Sequence, residues 1–198
     1  MRLLIIRHGE SEADLLNVHE GRADFPLTKT GISQAEKMAR WIGDRYHIDR
    51  LYASPLKRTR QTASFLAKET GLTPEFAEEL MEFNNGLIAG RSREEVREKY
   101  PFIPDLPIHA SVYEQESKLD FRYRAEYILS RILSENSSDS TIAVVSHGGT
   151  INQLYRAFLR LPADSQMFWS TGDTGIHEWT VVGEMRRIIR SNSLIHLE

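Results

Sequence analysis

The chain has no cysteine among its 198 residues. That excludes disulfides and a thiolate nucleophile, and it fits a reducing compartment. It has no basic excess: 25 Lys and Arg against 28 Asp and Glu leave a net charge of -3, which argues against nucleic acid as the main partner. No stretch approaches the ~20 apolar residues of a membrane span. The apolar run at the N-terminus, Leu3 to Ile6, is too short for a signal peptide and runs straight into Arg7 and His8. Internal repeats and low-complexity segments are also missing. The remaining composition, 40% hydrophobic and 27% charged, is that of an ordinary globular chain. The expectation is a single domain over residues 1–198, cytoplasmic, with no nucleic-acid or membrane partner, and either a monomer or a homodimer.

The first ten residues organise the rest. Leu3 to Ile6 reads as a strand buried on both faces, and Arg7-His8-Gly9-Glu10 ends it abruptly. Ligands of open α/β sheets bind just past the carboxyl ends of such strands, where Arg7 and His8 stand. A neutral imidazole can attack phosphorus through one ring nitrogen while the other donates to a backbone carbonyl. An adjacent guanidinium can hold phosphate oxygens in a fork and keep the imidazole unprotonated. A structural histidine beside a chance arginine is the competing reading, and the tetrapeptide alone leaves both open.

Alternating strand and helix patterns follow. Residues 11–27 read as a loop with Asp14, Asn17, Gly21, Arg22 and Asp24, and a helix is expected from Thr28 to Tyr46 on an apolar face of Ile32, Ala35, Met38, Ala39 and Ile42. Asp49 to Ala53 is a second strand. Ser54 is expected to cap the next helix, with Pro55 at its first position, Arg58 in its first turns off the buried stripe, and Gly71 past its end. Residues 71–91 look irregular. A capping-box pattern at Ser92 to Glu95 starts a short helix, residues 101–115 form a proline-containing surface connection, and a longer helix runs from Ser117 to Ser134 with Tyr123, Tyr127, Ile128, Leu129, Ile132 and Leu133 on its apolar side. Thr141 to Val145 is a buried strand that ends in Ser146-His147-Gly148-Gly149 and repeats the opening pattern. Ile176 to Val182 and Met185 to Arg190 form a hairpin across Gly183-Glu184. The sum is an α/β fold, a three-layer α/β/α sandwich with a mostly parallel central sheet. His8 and His147 would share one sheet edge.

Five motifs occur in order: Arg7-His8-Gly9-Glu10-Ser11; Pro26-Leu27-Thr28 with Gly31; Ser54-Pro55-Leu56-x-Arg58-Thr59-x-Gln61-Thr62-Ala63; Leu80-x-Glu82; and Ser146-His147-Gly148-Gly149. Together they resemble the histidine phosphatase superfamily, in its phosphoglycerate-mutase-like branch. The resemblance implies a phosphoglycerate-mutase-like fold and a phosphohistidine formed at His8. It implies that Arg7, Arg58 and His147 hold the phosphoryl oxygens and that Glu82 donates a proton to the leaving group. It implies no metal and no cofactor for hydrolysis of a small phosphate ester. The substrate-binding candidates are Arg7, Asp14, Gly21, Arg22, Arg58, His147 and Gly148. These roles agree with phosphoryl transfer, which asks mainly for positioning and for positive charge around the equatorial oxygens. The bland readings are a solvated helix arginine at Arg58 and, at Glu82, a glutamate no different from Glu78 or Glu79. His19, His47, His109, His177 and His196 are taken as surface or structural. His8 and His147 lack a carboxylate at metal-ligand spacing.

Two departures from the family pattern stand out. Asp14 occupies the place of an asparagine that touches phosphate in many relatives, so it is expected to face Arg7, Arg22 or Arg58 or to tune substrate preference. Between Gly86 and Gly90 the residues are wholly aliphatic, Leu87-Ile88-Ala89, where an acidic and an aromatic residue are usual; the loop either packs into the core or lines an apolar part of the pocket. A phosphatase is favoured over a phosphoglycerate mutase, whose chains are longer in the middle and at the C-terminus. It is also favoured over an inactive phospho-ligand-binding relative, which would not need Glu82.

Overall fold

The computed structural model describes residues 1–198. Strands β1 (Arg2–Arg7), β2 (Arg50–Ala53), β3 (Glu75–Phe76), β4 (Thr141–Ser146), β5 (Ile176–Val182) and β6 (Met185–Ser193) form a six-stranded sheet in the order β3-β2-β4-β1-β5-β6. The first four are parallel, β5 is antiparallel to β1, and β6 is antiparallel to β5 across the turn at Gly183 and Glu184. β1 and β4 lie side by side in the middle, in register from Arg2 opposite Thr141 to Arg7 opposite Ser146.

The period-two geometry of a strand sends alternate side chains to opposite faces. Leu3, Ile5, Ile142 and Val144 join one apolar cluster, and Leu4, Ile6, Ala143 and Val145 join the other. Helices α5 (Lys118–Glu135) and α6 (Gly148–Phe158) cover the first face; α2 (Lys29–Gly43) and α3 (Lys57–Thr70) cover the second. This is the expected three-layer sandwich, and a strand with helices on both sides is apolar over most of its length. Two short helices, α1 (Glu12–Leu16) and α4 (Arg93–Lys99), lie in the connections. No helix is long and apolar enough to cross a membrane.

The structure corrects several local expectations. The loop at 11–27 contains α1, because Ser11 and Asp14 make a capping box that pins a single turn. Helix α2 stops at Gly43 rather than Tyr46: Arg45 and Tyr46 both turn their N–H groups to the Ile42 carbonyl, and the Tyr46 hydroxyl reaches Glu178. Its predicted apolar residue Ile32 is exposed. Helix α3 begins at Lys57 with Leu56 as N-cap, so Ser54 is not the cap. Ser92 caps α4 as expected, but the Glu95 carboxylate turns to Arg91 and Lys99 instead of completing the box. On α5, Tyr123 and Tyr127 are 69% and 50% exposed, because the sheet takes up only the arc of Phe121, Ala125, Ile128, Leu129 and Ile132.

Candidate active site

The register of β1 on β4 places the residues just past Arg7 and Ser146 beside each other at the carboxyl edge of the sheet. His8 and His147 are both buried there, their ring centroids 5.2 Å apart and edge-on. His8 Nδ1 lies 2.7 Å from the Gly9 carbonyl, so Nδ1–H donates and Nε2 keeps its lone pair. Arg58 Nε–H points at that lone pair from 3.2 Å. Burial, then the charges of Arg58 and Arg7, hold the His8 pKa well below the usual imidazole value. His147 is held down likewise, by burial first and Arg58 second. Its Nε2 is 2.8 Å from the Ser54 hydroxyl, and its buried Nδ1 has no protein partner.

The arginines come from two directions. Arg7, at the end of β1, donates to the Thr171 carbonyl at 2.7 Å and pairs with Asp173 at 3.1 Å. Arg58, in the first turn of α3, is completely buried, contrary to the solvated reading. It donates to the carbonyls of Gly21 at 2.7 Å and Ala23 at 3.1 Å, and its Nε lies 3.1 Å from Glu20. Burial presses the Arg58 pKa down, and Glu20, Glu82, Asp24 and Asp14 push it back up.

Glu82 arrives from a segment between the sheet and α5. Its Oε2 accepts from the Gly149 N–H at 2.8 Å and its Oε1 from the Phe83 N–H at 2.8 Å. A side chain at Gly149 would collide with this carboxylate, so the second glycine after His147 is the one Glu82 requires. Arg124 of α5 fixes the segment by donating to the carbonyls of Glu79, Met81 and Glu82 while its other edge pairs with Glu116 at 2.8 Å.

His8, Arg7, Arg58, His147 and Glu82 therefore come from four separated stretches of chain to one edge of the sheet. Gly21 belongs to the same place through its carbonyl and adopts φ +50°. Arg22 donates to the Glu82 carbonyl at 3.3 Å and faces Glu116 at 3.7 Å. Gly148 opens α6 and accepts from Asn152. Asp14 departs from expectation. It is exposed, accepts from the Ser11 N–H at 2.9 Å and the Ser11 hydroxyl at 3.1 Å, and pairs with none of the three arginines proposed for it.

Sequence reasoning missed Glu20, Ser54, Asp173, Gly149 and Arg124. Ser54 and Gly149 lay inside motifs already quoted. Asp173 sits in the Gly172-Asp173-Thr174-Gly175 turn ahead of β5, a signal that was available. Glu20 and Arg124 offered none.

In the aliphatic loop Gly86–Ile88 forms a short 3-10 turn, and the cavity it borders has none of His8, Arg58, Glu82 and His147 in its walls. Ile88 is buried and, with Phe83, Val96, Tyr100 and Tyr113, lines a mostly apolar cavity of about 850 Å³ that begins one residue beyond Glu82.

The model of the histidine phosphatase superfamily (branch 1) matches residues 3–193. The chain is 30% identical over 204 residues to phosphoserine phosphatase 1 of Hydrogenobacter thermophilus, covering 100% of this chain and 94% of that protein. It is 31% identical over 169 residues to the adenosylcobalamin/alpha-ribazole phosphatase of Escherichia coli, covering 83% and 82%. Among solved structures it is similar to the alpha-ribazole phosphatase of Shigella flexneri, with a TM-score of 0.86 at 26% identity over 98% of this chain and 97% of that one. A mycobacterial glucosyl-3-phosphoglycerate phosphatase shares the fold, with a TM-score of 0.85 at 23% identity over 97% and 98%.

Proposed function

This chain belongs to the histidine phosphatase superfamily, and from that premise we propose that it hydrolyses small phosphate monoesters through a phosphohistidine formed at His8. The observation that carries the reading is the state of His8: buried, its Nδ1–H committed to the Gly9 carbonyl, its Nε2 lone pair unprotonated beside the Arg58 guanidinium. An imidazole so held needs no deprotonation before it attacks.

In the first half-reaction Nε2 attacks phosphorus, the ester P–O bond breaks, and the leaving alkoxide takes a proton from the Glu82 carboxyl. In the second, the Glu82 carboxylate takes a proton from water, the water oxygen attacks phosphorus, and the N–P bond breaks to restore the lone pair. Arg7, Arg58 and the unpartnered Nδ1 of His147 are suited to the equatorial oxygens, whose charge grows in the transition state. The apolar cavity beyond Glu82 is suited to the organic part of the ester. The relatives' names span several different phosphate esters and do not single out one. A mutase must retain a bisphosphate, and the carboxylates Glu20, Asp14 and Asp24 around Arg58 disfavour that second anionic group.

The test is hydrolysis of p-nitrophenyl phosphate in excess chelator. The wild type should keep its activity, and His8→Ala should lose at least about 10³-fold in kcat while staying folded. Activity that survives in His8→Ala would sink the phosphohistidine route.

A further inference from the structure

Glu20 places a carboxyl group where a phosphoryl group has to go. Its Oε2 lies 3.9 Å from the attacking nitrogen, His8 Nε2, and 3.1 Å from Arg58 Nε. The side chain is only 18% exposed, and its Oε1 is buried without a hydrogen-bond partner. A phosphoryl group bonded to Nε2 spreads its oxygens into the space between Nε2 and Glu20, within hydrogen-bond distance of the carboxyl. Two anionic oxygens cannot share that distance unless one of them carries a proton, the rule that makes paired carboxylates share one.

The surroundings of Glu20 bear on that proton from every side. Arg58 of α3 favours the carboxylate; burial, Asp14 of α1 and Glu82 favour the acid, and His8 is neutral. The balance lies on the acid side, with the Glu20 pKa raised above its ordinary value chiefly by burial.

We infer that Glu20 takes up a proton from solvent when a phosphoryl dianion enters the pocket, and donates it as a hydrogen bond to a phosphoryl oxygen. This rests on the reading of His8 given above. On release of phosphate the proton returns to solvent and the carboxylate closes on Arg58 again. The pocket thereby binds tetrahedral dianions more tightly as the pH falls, through a side chain that is not one of the residues carrying out the chemistry.

Sulfate is the probe, because it remains a dianion across the whole range and its own titration cannot mimic that of Glu20. Its dissociation constant is measured between about pH 5 and 8 by calorimetry, in two buffers of different ionisation enthalpy so that protons are counted. For the wild type, affinity should fall by up to about tenfold per pH unit above the Glu20 pKa, with uptake approaching one proton per sulfate. Glu20→Gln, which mimics the protonated carboxyl, should bind with no slope from this source and at least about tenfold tighter than wild type near pH 8. Glu20→Ala should be equally flat but weaker than Glu20→Gln, since it has no donor. Proton uptake that persists in Glu20→Gln belongs to His8 or His147 and overturns the inference. So does a wild type that takes up no proton, or equal affinity in the Gln and Ala variants. If the wild type hydrolyses esters and His8→Ala does not, while the slope survives Glu20→Gln, the phosphohistidine reading stands and this one falls. A wild type that neither binds sulfate nor turns over removes both.

Discussion

Ser54 stands at the junction of two chemistries, a helix cap and a site hydrogen bond, and the structure gives it the second. Its hydroxyl lies 2.8 Å from His147 Nε2, while Leu56 serves as N-cap of α3. Ser54→Ala should therefore cost about 1 kcal/mol of stability and lower kcat/KM about tenfold, the loss of one buried hydrogen bond that orients a phosphoryl-binding ring. A variant with a lowered melting temperature and unaltered kinetics would restore the capping role. The same residue shows why parts of the site were readable and parts were not. Arg7, His8, Arg58 and His147 sit at strand and helix ends, where backbone geometry and residue type agree. Glu20 matters because it meets an arginine far away in sequence, and no local pattern marks such a pair.

Among the elements, α5 does more than cover the sheet. Arg124 projects from it to grip three backbone carbonyls, of Glu79, Met81 and Glu82, so the helix positions the carboxylate without touching it. Arg124→Met keeps most of the stem and removes the donors. We expect kcat to fall about 10- to 100-fold with a smaller change in KM, and stability to drop by about 3 kcal/mol because the Glu116 charge and the carbonyls lose their partner. The fall in kcat should be larger for alkyl than for p-nitrophenyl phosphate, since only the poorer leaving group depends on the Glu82 proton. Equal losses on both esters would place Arg124 outside the positioning of Glu82. Periodicity revealed α5 but overstated its buried side: Tyr123 and Tyr127 have the size and apolarity of core residues, and only the curvature of the sheet decides that they miss it. The apolar runs of β1 and β4 were clearer, because strands covered on both faces read as nearly continuous apolar stretches.

At the scale of the whole molecule, acid is the expected weakness. His177 and His196 are pushed down to about 4, both mainly by burial. Above the ordinary value of 6.5 both folded and unfolded forms are neutral and the stabilisation is complete. Between 6.5 and about 4 the unfolded chain binds protons that the folded chain refuses, so stability falls as the pH falls, by up to about 3 kcal/mol for each histidine. His8 and His147 act in the same direction. His177 bonds Thr171 at 2.9 Å and His196 bonds Thr174 at 2.8 Å, so the loop that carries Asp173 to Arg7 should loosen first. Urea unfolding at about pH 7 and about pH 4.5 checks this, and equal stability at the two would contradict it. The net charge of -3 gives no hint of this weakness, which comes chiefly from burial. The order of the strands carries one more consequence. β1 is the central strand of the sheet, yet its partners β4 and β5 begin roughly 140 and 175 residues after it. During synthesis at about 5–20 residues per second, its apolar run leaves the ribosome about 7–28 s before β4 exists to receive it. The newborn chain therefore carries an unpaired, aggregation-prone strand until β4 has been made, and the phosphoryl site around His8 stays incomplete until His147 follows it.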